Sequence, residues 1–205
     1  MKAKKRKNKT GKIFIISGPS GSGKTTLLTR LIQDKKIAKL LVKSRSVTTR
    51  PKRLGENQGK DYFFVTRSEF SRLLKAKKIL EWTRYLGYYY GTPKGPVEKL
   101  LKEGRHIGLC LDLKGARILK KIYPRNAVTV FVLPPSLSVL KARIEGRCRD
   151  TNKKEIAQRL RLAQREILAA SQFDYRIMNQ NLRVALKELK KIFLKEKQRL
   201  TINRG

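Results

Sequence analysis

The stretch Gly18-Pro19-Ser20-Gly21-Ser22-Gly23-Lys24-Thr25 fills every position of the pattern G-x-x-x-x-G-K-[S/T], a residue set suited to holding phosphate. Its glycines let consecutive backbone N–H groups turn toward anionic oxygens, and a helix starting at the end of the loop adds the positive end of its dipole. Lys24 is placed to reach the β and γ phosphates of a nucleoside triphosphate, and the hydroxyl of Thr25, followed by Thr26, is a hard oxygen donor for magnesium. The flanks fit this reading. Ile13 to Ile16 is a short apolar run that reads as a strand entering the loop, and Thr25 to Ile32 leaves it with helical apolar spacing. Binding of ATP or GTP follows, but not the phosphoryl acceptor, because the same loop serves hydrolases, switches and small-molecule kinases.

The elements that must position this loop follow from apolar periodicity. From Pro93 onward, helix and strand signals alternate: a helix to Lys102, a strand Ile107 to Leu111, a helix Lys114 to Lys121, a strand Val128 to Leu133 and a helix Leu137 to Glu145. A long helix to Ala170, a strand around Tyr175 to Met178 and a terminal helix from Leu182 to Leu200 complete the chain. This alternation predicts an α/β fold with a three-layer parallel-sheet core, residues 11–42 and 93–200. Residues 43–92 are polar, rich in Arg, Gly and aromatics, and read as an inserted lobe. Residues 146–160 are basic at their start and apolar-poor, and read as a short lid.

Several separated motifs in the lobe and beyond it resemble guanylate kinases, of the P-loop nucleoside monophosphate kinases. They are Ser46-Val-Thr-Thr-Arg50, Arg53, Gly55-Glu56, Gly59-Lys-Asp61-Tyr62, Leu80-Glu81-Trp82 and Tyr89-Tyr90-Gly91-Thr92. The resemblance runs from about Gly11 to Phe193 and implies transfer of the γ phosphoryl group of ATP to GMP or dGMP, with magnesium. It implies that Ser46, Arg50, Arg53 and Tyr62, with Tyr90 beside them, hold the GMP phosphate, and that Glu81, Thr92 and Asp112 read the guanine. Physical chemistry agrees. Two guanidinium forks three residues apart and a phenol match a phosphate dianion, and a carboxylate with a hydroxyl answers the N1–H, N2–H and O6 edge of guanine. The resemblance further implies Arg147 and Arg159 across the transferring group, Arg143 on ATP phosphates, and Asn179 at adenine, with Lys24 and Arg53 also catalytic. Asp112 stands where it could hold magnesium-ligated water or the guanine edge. This chain departs from the family pattern at Cys110, usually acidic, at Lys114, usually Gln, and in a lid one residue longer in which Arg149 is an alternative to its neighbours.

Composition bounds the remaining classes. The 205 residues are 40% hydrophobic, and Lys plus Arg number 51 against 15 Asp plus Glu, for a net charge of +36. Anionic partners are the first expectation, and nonspecific nucleic-acid binding accompanies the nucleotides ATP and GMP as a candidate. Residues 1–10 are a basic segment expected to be a disordered tail. Two cysteines, Cys110 and Cys148, support neither a disulfide framework nor a cysteine metal site, and no apolar run is long enough for a membrane span. A cytoplasmic monomer or homodimer is expected. The competing class is a binding module that uses the same lobe for protein ligands, which the intact Lys24 and Thr25 disfavour.

Overall fold

A strand with no polar face is stable only where both of its sides are covered. Ile13, Phe14, Ile15, Ile16 and Ser17 form such a strand, β1 (Ile13–Ser17), buried throughout. The computed structural model describes residues 10–147 and 153–202. In it β1 is the middle of a five-stranded parallel sheet with β2 (Leu41–Lys43), β7 (His106–Cys110), β8 (Ala127–Leu133) and β9 (Tyr175–Met178), in the order β2-β7-β1-β8-β9. Alternation along the strands divides the core into two apolar layers. Phe14, Ile16, Val128, Val130 and Val132 face α1 (Lys24–Gln33) and α8 (Leu182–Ile202) through Leu27, Leu28, Leu189 and Phe193. Ile13, Ile15, Ile107, Leu109 and Phe131 face α4 (Lys94–Lys102) and α5 (Leu113–Ile122) through Val97, Leu101, Ala116 and Leu119. The result is the expected α/β three-layer arrangement.

A second, four-stranded sheet lies between β2 and α4 in sequence. It consists of β3 (Val47–Thr48), β4 (Phe63–Phe64), β5 (Ile79–Tyr85) and β6 (Tyr88–Pro93), ordered β4-β3-β6-β5. Helix α3 (Arg67–Lys75) joins it, opened by a capping box in which Thr66 and Glu69 satisfy each other's backbone N–H groups. The β5–β6 hairpin turns on two residues, Leu86 at φ 49° and Gly87 at φ 84°, the left-handed pair that matches strand twist. Helical spacing located α3 through α8. The hairpin was not legible because its inner face is polar and carries Glu81, Thr83 and Tyr90 rather than an apolar stripe.

The remaining helices are α2 (Lys35–Ala38), α6 (Leu137–Arg147) and α7 (Lys153–Leu168), with one turn of 3₁₀ helix at Ala170–Gln172. Of the basic tail expected over residues 1–10, residues 1–9 lie outside the described residues, as do Cys148 and Arg149. Among the described residues no helix is long and apolar enough to cross a membrane.

Helix α8 closes one layer and is pinned by charge as well as by apolar contact. Lys12, at the entry to β1, donates to Glu196 at 2.7 Å, both side chains being almost fully buried. Glu196 also accepts from the Tyr175 hydroxyl at 2.6 Å and from Arg199 at 2.7 Å. Removing one member of a buried pair strands the other charge. Glu196→Leu is therefore expected to lower unfolding free energy by about 3–5 kcal/mol in urea titrations, and Lys12→Met combined with it to recover most of that loss.

Candidate functional site

The carboxyl ends of β1 and β7 and the inner face of the smaller sheet open onto one cleft of about 1690 Å³. That exceeds the roughly 300–1,000 Å³ of a site for one small ligand and leaves room for two nucleotides. Its geometry begins at Gly23, which caps α1 with φ 96°, a left-handed conformation that side-chain-bearing residues resist. A Cβ there would lie 2.2 Å from Asn179 Nδ2. That amide instead donates to the Ser22 carbonyl at 2.7 Å, while Arg143 Nη2 donates to the Asn179 carbonyl at 3.1 Å. The cap of α8 is made by Asn181, whose side chain accepts from Arg183 N, so Asn179 is left to the loop. Lys24 Nζ donates to the carbonyls of Gly18 and Pro19, at 2.5 and 2.8 Å, drawing the loop around itself.

Three buried side-chain atoms, Ser17 Oγ, Ser22 Oγ and Arg143 Nη1, have no hydrogen-bond partner among the described residues. Buried polar groups are nearly always paired. All three can donate, as an anion bound at the loop requires.

The opposite wall carries the lobe residues. Ser46, Arg50, Arg53, Tyr62, Glu81 and Tyr90 line the cleft with Asp112. Arg50 is buried and held as a fixed fork: both Glu56 oxygens accept from its Nη2 at 2.8 Å, and Tyr62 and Phe64 lie 5.6 and 5.7 Å from its guanidinium carbon. Glu56, part of the Gly55-Glu56 motif but given no role from sequence, is thus a positioning partner. Thr92 does not line the cleft but stands behind Glu81, to which it donates at 2.5 Å across the hairpin pair. Burial pushes the Glu81 carboxyl up to about 7, with the like charge of Asp112 adding to it and the Thr92 hydroxyl opposing.

Helix α7 crosses the loop. Arg159 is buried, its Nη1 donates to Ser20 Oγ at 3.0 Å, and Glu155 accepts from its Nε and Nη2. Arg143 also lines the cleft. Arg147 ends α6, but its side chain lies outside the described residues.

Two further side chains were missed from sequence. Tyr85 continues the β5 alternation of Glu81 and Thr83 into the cleft, on the side of Ser20 and Arg159, and burial pushes its phenol up. Ser20 itself ties the loop to α7 through Arg159. Glu166 lies two helical turns from Arg159, lines the same cleft, and is pushed up to about 7 by burial, opposed by Lys24 and reinforced by Asp112. The period of two in β5 and the spacing of seven in α7 were the available signals.

Cys110, where the resembling family carries an acid, is a half-buried thiol lining the cleft, pushed up by desolvation, beside Thr25 and Lys24. It remains neutral. Among the described residues no group of three His, Cys, Asp or Glu is placed to hold a metal. The Thr25 hydroxyl and the Asp112 carboxylate, whose Oδ1 caps α5 at Gly115 N, are hard oxygen donors in the cleft. Too few to cage an ion, they suit magnesium that arrives on phosphate oxygens and keeps its waters.

Comparison with known proteins is consistent along nearly the whole chain. The family model described as guanylate kinase matches residues 10–196. The guanylate kinase of Synechocystis is 41% identical over 186 residues, covering 91% of this chain and 95% of its own. That of Carboxydothermus hydrogenoformans is 42% identical over 188 residues, covering 91% and 89%. The crystal structure of guanylate kinase from Anaplasma phagocytophilum superposes with a TM-score of 0.77 at 31% identity, covering 93% of this chain and 88% of that one.

The loop geometry has a direct test. Gly23→Ala must adopt φ 96° and displace the Asn179 amide, so its ATP dissociation constant in calorimetry is expected to rise at least about fivefold, the low end of 1–3 kcal/mol of backbone strain. Gly95→Ala, where an added Cβ meets nothing, should leave that constant unchanged.

Proposed function

The chain belongs to the guanylate kinase family, and on that premise we propose that it transfers the γ phosphoryl group of ATP to GMP or dGMP, yielding ADP and GDP or dGDP. The observation that carries this reading is the facing of two subsites across one cleft. A complete phosphate loop stands on one side, and a guanidinium clamp with a buried carboxyl–hydroxyl pair on the other.

In this reading Gly18 to Thr26 hold the ATP phosphates, with Lys24 moving from its loop carbonyls to the β and γ oxygens. Arg143 serves those phosphates, and Asn179 both fixes the loop and borders the adenine. Ser46, Arg50, Arg53, Tyr62 and Tyr90 hold the GMP phosphate, while Glu81 with Thr92, and Asp112, read the guanine edge. The acceptor oxygen of GMP is already anionic, so no side chain needs to become a covalent nucleophile. What the protein supplies is alignment of donor and acceptor, and positive charge where charge spreads over the equatorial oxygens. Arg159, already on the loop through Ser20, brings that charge, and Arg147 joins it from the end of α6. Magnesium, held by phosphate oxygens, Thr25 and water on Asp112, would neutralise the phosphates when bound. Tyr85, which lines the cleft from the lobe side, adds its phenol to the wall that excludes water.

The test is ADP formation from ATP and magnesium with GMP, dGMP, AMP, UMP or no acceptor. Turnover is expected with GMP and dGMP, falling at least about a hundredfold in Lys24→Ala, and with GMP affinity lost in Glu81→Ala. An ATP-binding chain without acceptor-dependent turnover would overturn the assignment.

The raised Glu81 carboxyl gives the reaction a pH signature. Because it titrates near 7, the protonated form gains population as pH falls below 7 and loses the anionic acceptor for guanine N1–H and N2–H. KM for GMP is expected to rise toward tenfold per pH unit below that point. Glu81→Gln should abolish this component and retain only the one from the GMP phosphate itself, whose second pKa is about 6.

A further inference from the structure

We infer that the outer face of α8 is a docking surface for the phosphodiester backbone of a single-stranded nucleic acid. Arg183, Lys187, Lys191 and Lys195 recur at every fourth position of this helix and are all exposed. Like charges four apart repel along a helix, so the arrangement works against the helix that carries it. Nothing within the fold relieves it. Among the described residues none of the four is in an ion pair, although Lys195 also lies 5.7 Å from the Tyr175 ring centroid. Of the two acids on α8, Glu196 is buried and committed to Lys12, Tyr175 and Arg199, while Glu188 is exposed and makes no ion pair among the described residues.

The opposite face of α8 cannot turn outward, because Ala185, Leu189, Ile192 and Phe193 are locked into the core. The charged face is therefore permanently presented. It is widened by α2, which Lys190 ties to α8 through Asp34 and which adds the exposed Lys35 and Lys36.

The shape of the row selects its occupant. Each step of four residues rises about 6 Å and rotates about 40°, so the four cations climb about 18 Å while winding about 120° around the axis. A flat anionic membrane meets only one side of such a row, and the exposed apolar side chains of α8, Leu182, Val184 and Leu194, fall on different sides of the helix and form no continuous face to insert into lipid. A rigid duplex likewise follows its own curvature. A flexible single strand can wind with the row and set a phosphate against each cation. No aromatic platform for stacking bases lies among the four, so recognition is of the backbone and independent of sequence.

The experiment is fluorescence anisotropy of a labelled 20-nucleotide single-stranded RNA with the full chain, at several salt concentrations. The ladder variant Arg183→Gln/Lys187→Gln/Lys191→Gln/Lys195→Gln is compared with a control that removes four exposed charges elsewhere, Lys75→Gln/Lys78→Gln/Lys102→Gln/Lys121→Gln. Removing four phosphate contacts is expected to reduce the slope of log K against log salt by about 2.8 and to lower affinity at least tenfold near 0.1 M salt, with the control changing it less than threefold. Turnover with ATP and GMP, retained in both variants, reports that each is folded and separates this outcome from the fate of the kinase reading. Equal losses in ladder and control variants would overturn the site in favour of bulk charge. Ladder-dependent binding of a 20-base-pair duplex as tight as that of the single strand, or ladder-dependent binding only to phosphatidylserine vesicles, would overturn the choice of occupant.

Discussion

The chain reversal between β1 and α1 is the constraint on which the rest of the molecule depends. A left-handed residue at Gly23 starts α1 so that its free N–H groups face back across the loop. The space that a side chain would take there is occupied by Asn179, which arrives from the far edge of the sheet after β9. Arg143 reaches the same asparagine from α6. One hydrogen-bonded network therefore ties two distant segments to the loop. The parallel sheet, with buried residues on both faces, is the frame that keeps them in register.

The electrostatics of the cleft are set by burial more than by net charge. Although the chain is +36 overall, Glu81 and Glu166 lie in a cleft where desolvation raises both carboxyls to about 7, and Asp112 acts on each. Lys24 and Arg159 oppose this acidity on the loop side, while Cys110 adds no charge between them. Arg159 brings α7 onto the loop through the hydroxyl of Ser20, and Tyr85 lines the same cleft from the lobe.

Outside the cleft the surplus of cations has a different character. Seven of the fourteen acids among the described residues are in ion pairs: Glu56 with Arg50, Glu98 with Lys94, Glu145 with Lys141, Glu155 with Arg159, Asp174 with Lys120, Asp34 with Lys190 and Glu196 with Lys12. What remains on the surface is largely unneutralised positive charge, and on α8 it falls into a row because the helix repeats its face every three to four residues.

The phosphate loop motif and the order of helices and strands in the core were legible because each rests on local pattern, the spacing of glycines or the period of apolar residues, whereas the residues of the proposed subsites were offered by a run of motifs in order. The hairpin was not legible, since β5 and β6 turn a polar face to the cleft and so lack the apolar alternation that marks a strand. Tyr85 and Glu166 were invisible for a related reason. Their significance depends on facing Ser20 and Lys24 across the cleft, and chain separation says nothing of that approach. Likewise the sequence offered Arg50 as a phosphate clamp, but only folding brought Glu56 against it to hold the fork in place. Local spacing determined which groups this chain possesses and on which elements they stand; tertiary packing decided which of them are desolvated and which meet, because burial and distance arise only when the two sheets and α7 come together.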